Sequence, residues 1–394
     1  MIPTFILCMW LLGLLSAAFI VGAIYLGREW YSRSWMWDET LRQSIFAPDY
    51  GWNAPTALLA GAVVLGLIAC LGRPILKLIV KLMRKSGDDP RQAAQVPAHE
   101  QRIRRPDGSE LLVKSYGPLE APPLVMTHGW GLNSDEWFHA HRELAGDFRL
   151  IVWDEPGLGG SKGPDNNDFS LEKLANDLRA VLEVAGSQPT VLIGHSIGGM
   201  IILTFCRLFP QDLGSRVSGL VLTHTTHTNP VRTTSGAAFF TAIEKPILVP
   251  LMYLTIGLSP LIRLMNIMSY LNGSSHVMNM LSSFAGTESW EQIDFGAHFQ
   301  AKASPGVLAR GMLGMMRYDA TATLKTIALP TLVVAGDRDN TCKPEASERM
   351  HREILGADKI TLTPARHLGL IEHHARYAEA VRKLAKAEAL ANAA

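Results

Sequence analysis

The feature that most constrains this chain is an uncharged apolar run over residues 2–26. Such a run must be kept out of water, and it exceeds the roughly 20 residues with which a helix crosses a bilayer. A secretory signal peptide is the alternative. However, the run has no basic segment before it, is too long for a signal core, and lacks an A-x-A-like cleavage site after it. We therefore predict a membrane-spanning helix over about 2–26.

A second uncharged run, APTALLAGAVVLGLIACLG at 54–72, follows a short connection. A buried helix of a soluble core is the alternative, but an uncharged helix beside another one favours a second span. We therefore expect a membrane hairpin within residues 1–85. Aromatic residues between the runs resemble the belt found at membrane interfaces. They are Trp30, Tyr31, Trp35, Trp37, Tyr50 and Trp52.

Basic residues are distributed unevenly around the two runs. The connection at 28–53 has three arginines offset by acids, whereas RPILKLIVKLMRK at 73–85 has five basic residues. The positive-inside rule then places residues from 73 onward in the cytoplasm, at the inner or plasma membrane if the protein is bacterial. Because basic and apolar residues alternate at helical spacing in 73–85, we expect an interfacial helix against anionic headgroups.

The pattern changes after a polar linker at 86–100. Continuous apolar runs such as PLVMTHG, RLIVWDEPG, TVLIGHS, SGLVLTH and PTLVVAG alternate with helical stretches. Strands that helices bury on both faces have this composition. We predict an α/β domain over 101–394, built on a doubly wound, mostly parallel sheet. Ligands of such sheets bind beyond the carboxyl ends of the strands.

Ser196 follows one of these runs, in the sequence VLIGHSIGGM. The glycines at 194 and 198 allow a sharp turn from strand to helix without a Cβ clash, which exposes the serine hydroxyl. The helix start can also stabilise an oxyanion. A turn that merely needs a small polar residue is the alternative, but the strand–turn–helix context favours a nucleophile.

A serine nucleophile requires a base, and the base requires an acid that orients it. His367 follows a short predicted strand at 359–363 and precedes the last helix. Asp337 and Asp339 follow the strand before it. All of these residues are therefore expected at the carboxyl edge of the sheet, near Ser196.

Four motifs resemble the α/β-hydrolase superfamily, specifically its lipase/esterase and haloperoxidase-like branch. They are HGWGLNSDEW at 128–137, DEPGLGGS at 154–161, GHSIGG at 194–199 and AGDRDNTCKP at 335–344. The resemblance covers residues 100–390, and the chain order Ser, Asp, His agrees with it. One departure is ARH at 365–367, where GH is usual.

The resemblance implies roles for particular residues. Ser196 would be the nucleophile, His367 the general base and acid, and Asp339, rather than Asp337, the acid that orients His367. The backbone N–H groups of Trp130 and Ile197 would form the oxyanion hole. His128, Gly129, Gly194 and Gly198 would support the loops around them.

No cofactor is expected, because the sequence contains no metal-ligand cluster, dinucleotide-binding loop or P-loop in a suitable context. His224 and His227 follow a predicted strand near the site, and we expect them to pack in the core or against the cap. The four widely spaced cysteines predict neither a disulfide framework nor a zinc site. A net charge of +1 does not favour a nucleic-acid partner.

A long insertion at about 228–325 separates two of the predicted strands, where the superfamily inserts a cap over its active site. Its segment 246–273 has Arg263 as its only charged residue. A third span is one interpretation, but Arg263 and three prolines favour a helical cap at the membrane interface. The many methionines suit an adaptable apolar pocket or an ordinary core.

A reactive serine beneath an apolar cap and beside a bilayer suggests a lipophilic substrate. The hypothesis is a membrane-anchored hydrolase that cleaves carboxylic esters such as a monoacylglycerol, a lysolipid or a fatty-acyl ester. Its partners would be that ester and the lipid bilayer. Acyl transfer on the same three residues and a catalytically silent membrane scaffold are the alternatives, and the sequence leaves chain length, head group and oligomeric state open.

Overall fold

The computed structural model describes residues 2–48, 50–51, 54–84 and 96–393. It begins with a helical hairpin, in which α1 (Ile2–Arg33) packs along α2 (Ala54–Met83). Both helices extend beyond the apolar runs. The segment from 73 is not a separate interfacial helix, because α2 continues through Pro74 to Met83. Lys85, Trp52 and most of the expected linker, 86–95, lie outside the described residues.

The connection between α1 and α2 contains a short antiparallel ladder that the sequence did not predict. Strands β1 (Trp35–Asp38) and β2 (Gln43–Phe46) are exposed, so they lack the alternation of buried and exposed residues from which a strand is normally predicted. The ring of Phe46 packs against Trp30, Tyr31 and Trp35. Several of the expected interfacial aromatic residues therefore form one cluster at this end of the hairpin.

The α/β domain contains an eight-stranded sheet within the described residues, in the order β3-β4-β6-β5-β7-β8-β9-β10. The strands from β6 across to β10 are parallel, and β4 pairs antiparallel with both β3 and β6. The predicted doubly wound, mostly parallel sheet is therefore confirmed. The strands are β3 (His99–Arg104), β4 (Glu110–Tyr116), β5 (Pro123–Thr127), β6 (Arg149–Trp153), β7 (Thr190–His195), β8 (Val217–Thr223), β9 (Thr331–Gly336) and β10 (Asp358–Leu362).

Helices bury both faces of this sheet. Leu192 of β7 belongs to the core beneath α4 and α5, whereas its neighbour Ile193 belongs to the core beneath α3 and α14. The side chain of Ser170 accepts a hydrogen bond from Lys173 N and so caps the start of α4. These helices are α3 (Phe138–Leu144), α4 (Leu171–Leu182), α5 (Ile197–Leu208), α12 (Pro344–Glu353), α13 (Gly369–Glu372) and α14 (His374–Ala393).

Six further helices lie between β8 and β9 and form the cap. They are α6 (Ala237–Ile243), α7 (Val249–Gly257), α8 (Ser259–Leu271), α9 (Ser274–Ser282), α10 (Trp290–Lys302) and α11 (Pro305–Met316). The apolar segment at 246–273 is divided between α7 and α8. In the described residues, three helical stretches are long and apolar enough to cross a membrane: Phe5–Arg33, Ala54–Met83 and Ala237–Gly257. The third stretch partly overlaps the segment 246–273, for which a third span was one interpretation of the sequence.

The cap packs directly on the helical hairpin. Trp10 Nε1 donates to Thr255 Oγ1 at 3.0 Å, and Asn272 Nδ2 donates to Ser16 Oγ at 2.7 Å. At α2, Arg73 Nη2 lies 2.9 Å from Asp294 Oδ1 of α10.

Further along α2, Lys81 pairs with Glu291, and Arg84 pairs with Glu288. The fold brings α10 alongside α2, so these two basic residues pair with acids of the cap. The headgroup contact expected of the segment 73–85 stays a prediction. A sequence pattern cannot reveal acids that lie about 200 residues away.

Candidate active site

Ser196 occupies a tight turn between β7 and α5, with a φ of 53°, which is uncommon for a residue with a side chain. The glycines around it are required by close packing of the backbone. A Cβ on Gly194 would lie 2.4 Å from the carbonyl carbon of Gly198, and one on Gly198 would lie 2.3 Å from Thr127 O. Ser196 N donates to Thr223 O at 2.9 Å, which holds the strained turn against β8.

The structure brings His367 and Asp339 to Ser196. His367 Nε2 lies 3.0 Å from Ser196 Oγ, and His367 Nδ1 lies 2.9 Å from Asp339 Oδ2. The second carboxylate oxygen of Asp339 accepts from the backbone N–H groups of Thr341 and Cys342. These contacts form a continuous hydrogen-bonded line from a buried carboxylate to the serine hydroxyl.

Asp337 has a different position. Its Oδ1 accepts a hydrogen bond from Ala365 N at 2.8 Å, and its side chain is partly exposed near Arg338. Asp337 therefore braces the backbone before His367, whereas Asp339 contacts the imidazole itself.

Burial determines which protonation states these groups adopt. Burial lowers the pKa of His367 to about 4, although the Asp339 carboxylate opposes that shift. Burial acts to raise the pKa of Asp339, but the charge on His367 and hydrogen bonds from His224 and His367 hold it well below its usual range. At neutral pH the line therefore contains a carboxylate, a neutral imidazole and a serine hydroxyl. In this arrangement, His367 Nε2 can accept the hydroxyl proton.

The loop after β5 passes over the same site. Its Trp130 lines the cavity above Ser196. Ile197 is the first residue of α5, so its N–H is one of the helix-start groups without an intrahelical acceptor.

His128 is fully buried behind the loop after β5. Its Nδ1 lies 2.9 Å from Gly129 O, and its Nε2 accepts a hydrogen bond from Glu155 N at 2.9 Å. These contacts suit the supporting role expected of His128.

Sequence reasoning missed Glu136. This buried carboxylate accepts from Gly129 N at 2.8 Å and lies 2.5 Å from His195 Nδ1. His195 Nε2 in turn donates to His367 O at 3.0 Å. Burial alone would lower the pKa of His195, but the nearby Glu136 carboxylate raises it, and His195 in turn lowers the pKa of Glu136. Through His195, Glu136 therefore connects the loop that contains Gly129 to the backbone of His367. The only sequence signal was an acid seven residues after Gly129.

His224 was expected to be a packing residue, but its Nδ1 lies 3.4 Å from Asp339 Oδ2. It immediately follows β8, the neighbour of the strand that precedes Asp339, so its position at the carboxyl edge of the sheet was an available signal. His224 is a second partner for the buried carboxylate.

A cavity of about 80 Å³, here called the inner cavity, lies over Ser196. The sheet side of its lining includes Gly129, His195 and His367, and the cap side includes Phe299 and Met312. Phe5 of α1 also reaches this lining. The site is therefore enclosed by three parts of the chain: the sheet edge, the cap and the first helix.

One group of metal-ligand side chains occurs among the described residues, and it is separate from this cavity. The ligand atoms of His139, Glu143 and His374 lie within 4.8 Å of one another, between α3 and the start of α14. Arg142 Nη2 lies 3.7 Å from Glu143 Oε1, and this positive charge opposes cation binding. The expectation of no metal stays a prediction.

Comparison with known proteins identifies the family. Residues 122–244, which include β5, the turn at Ser196 and β8, match the model of the alpha/beta hydrolase fold. The α/β domain therefore has the alpha/beta hydrolase fold, and this match supports the α/β-hydrolase superfamily. The predicted fold class and the resemblance on which it rested are thereby confirmed.

Esterases and lipases are among the relatives of this α/β hydrolase. It is 35% identical over 108 residues to the bifunctional esterase/perhydrolase DCH of Acinetobacter calcoaceticus, covering 27% of this chain and 38% of the relative. It is 23% identical over 283 residues to Lipase 1 of Psychrobacter immobilis, covering 67% of this chain and 77% of the relative. The match thus spans about two fifths of the first two curated relatives.

Solved structures share the fold of this chain. A thermophilic esterase from Thermogutta terrifontis superposes with a TM-score of 0.59 at 24% identity, covering 74% of this chain and 99% of that one. A bacterial membrane phospholipase A superposes with a TM-score of 0.59 at 19% identity, covering 84% of this chain and 97% of that one. The lengths and compositions of the apolar helices of this chain indicate membrane association.

Proposed function

We propose that this α/β hydrolase is a membrane-anchored serine hydrolase that cleaves carboxylic esters of lipophilic substrates, such as a monoacylglycerol, a lysolipid or a fatty-acyl ester. The observation that carries the proposal is the hydrogen-bonded line from Asp339 through His367 to Ser196, beneath an apolar cap. Similarity to esterases and lipases supports the ester as substrate.

The proposed reaction has two steps. Ser196 Oγ attacks the ester carbonyl carbon while His367 Nε2 takes the hydroxyl proton. Asp339 holds the imidazole in the required tautomer and stabilises its positive charge. The carbonyl oxygen becomes an oxyanion that accepts hydrogen bonds from the N–H groups of Trp130 and Ile197. His367 then gives the proton to the leaving alcohol oxygen as the ester C–O bond breaks, which leaves an acyl-enzyme.

Water completes the cycle. His367 takes a proton from the attacking water, the second oxyanion forms in the same N–H groups, and the acid leaves as Ser196 regains its proton. A buried imidazole with a lowered pKa is neutral at pH 7 and is therefore ready to act as a base in both steps.

We further propose that α1 and α2 cross the membrane, with the hydrolase domain on the cytoplasmic side. The excess of basic residues after 72 supports this orientation. Ser16, near the middle of the predicted first span, lies 3.0 Å from Ser269 Oγ of α8. A cap helix beside a spanning helix dips into the bilayer, and the exposed Leu261 and Leu264 give α8 a suitable apolar surface.

Replacing the nucleophile tests the reaction. Ser196→Ala should lower p-nitrophenyl ester hydrolysis by at least about 10⁴-fold and leave the protein folded. Ser215→Ala, which removes a surface hydroxyl after α5, is the matched control and should retain full activity. Turnover by Ser196→Ala at more than about a tenth of the wild-type rate would refute the assignment.

A further inference from the structure

The first helix does more than flank the domain, because it forms part of a second and larger cavity. This cavity, here called the α1 cavity, has a volume of about 360 Å³. Phe5, Cys8, Met9 and Leu12 of α1 form one side, and residues of α8 and α9, such as Met278, form the opposite side. Most of its lining area is apolar, and its polar lining residues include Asn266, Asn340 and Arg366.

The α1 cavity adjoins the inner cavity. Three residues line both: Phe5 from α1, Gln300 from α10 and Thr341 from the loop after Asp339. Thr341 N also donates to the Asp339 carboxylate at 2.7 Å, so the shared boundary lies next to the hydrogen-bonded line. A molecule that passes between Phe5, Gln300 and Thr341 moves from one cavity into the other.

The outward face of the same helical turns is apolar and exposed. Leu11 is 62% exposed and Leu14 is 57% exposed, whereas Met9 is buried. This part of α1 therefore has one face on the cavity and the opposite face on the surroundings, which the proposed anchoring makes the bilayer. Only the thickness of one helix separates the cavity from lipid.

We propose that the α1 cavity holds the acyl chain of a single-chain lipid ester, which enters from the bilayer and places its carbonyl at Ser196. This inference rests on the proposed function and names its substrate class. The apolar lining suits a hydrocarbon chain, because burial of each methylene is favourable by a similar increment. The first helix is thus a wall of the substrate site as well as an anchor.

Filling the α1 cavity tests this assignment. Cys8→Trp should lower kcat/KM for p-nitrophenyl palmitate by about tenfold or more and keep kcat/KM for the acetate within about twofold, because the acetate has no chain to place there. Leu11→Trp is the matched control on the outward face of α1, and both esters should be hydrolysed normally by that variant. Unchanged palmitate hydrolysis by Cys8→Trp would overturn the inference while leaving Ser196 hydrolysis intact.

A second experiment uses the wild-type chain, so that misfolding of a variant cannot decide the result. A long-chain alkyl fluorophosphonate with a terminal diazirine reacts with Ser196 when Oγ displaces fluoride at phosphorus. Irradiation then crosslinks the end of the chain to its surroundings. We expect crosslinks within residues 5–12. Crosslinks confined to α11 would overturn the inference, whereas no adduct on Ser196 would overturn the proposed function itself.

Discussion

The two sides of the inner cavity, the sheet edge on one side and the cap with α1 on the other, differ in the kind of contacts that they make. On the sheet side, Ser196, His367, Asp339 and Glu136 are joined by short hydrogen bonds among buried polar groups. On the other side, the cap and α1 offer mostly apolar surfaces, such as Phe299, Met312 and Phe5. The directional contacts fix where bonds break and form, whereas the apolar contacts select by size and hydrophobicity. We therefore assign the chemistry to the sheet side and substrate selection to the cap and α1.

The largest effect expected in either region is on the sheet side. Asp339→Asn should lower kcat by about 10³-fold or more, because an amide can neither hold the imidazole tautomer nor stabilise its charge. The loss should be equal for acetate and palmitate esters, since every substrate uses the same imidazole. Asp337→Asn is the matched control and should change kcat by less than about tenfold, because Asp337 contacts the backbone at Ala365 and the side chain of Arg338 but not the imidazole of His367. A loss that depended on chain length would break the division between the two sides.

A smaller effect is expected where the hairpin meets the cap. Asp294 accepts hydrogen bonds from Arg73, Tyr270 and His276, so Asp294→Asn removes a buried charge that holds α2 to the cap. It should lower the free energy of unfolding by about 1–3 kcal/mol in detergent micelles. Glu348→Gln, in the surface pair with Lys359, should change it much less, because solvent screens that pair. Equal changes in the two variants would show that this junction is not a buried anchor.

The smallest expected effect is on the pH profile. His367 must be neutral to accept a proton, and burial lowers its pKa to about 4. Activity should therefore persist well below pH 6.5, the usual midpoint for histidine, and should fall as the pH passes through about 4. Because His367 belongs to the sheet side, the acidic limbs of kcat/KM for acetate and palmitate esters should coincide. A limb near pH 6.5, or limbs that differ between the esters, would contradict this account.

Local sequence predicted the sheet side well. Ser196, Asp339 and His367 each follow a strand of the parallel sheet, and the carboxyl ends of parallel strands meet at one edge. Nearby residues that act through tertiary contacts were missed. Glu136 lies within the motif at 128–137 and His224 directly follows a predicted strand, but their contacts with His195 and Asp339 depend on tertiary packing that no local pattern shows.

The cap and α1 side could be predicted only in outline. The apolar composition of α1 and α2 was evident, but their contacts with the cap join residues about 200 to 250 positions apart, such as Arg73 with Asp294 and Trp10 with Thr255. Hydropathy shows that a helix avoids water, but it does not show which neighbour covers the helix.

The central claim is that one serine performs the chemistry while a membrane helix helps to select the substrate. The most direct test measures kcat/KM for p-nitrophenyl acetate and palmitate side by side in wild type, Ser196→Ala and Cys8→Trp, all reconstituted in membranes. We predict that Ser196→Ala loses hydrolysis of both esters, whereas Cys8→Trp loses only that of the palmitate. Hydrolysis of either ester by Ser196→Ala at more than about a tenth of the wild-type rate would contradict the claim. An equal change in kcat/KM for acetate and palmitate in Cys8→Trp would also contradict it.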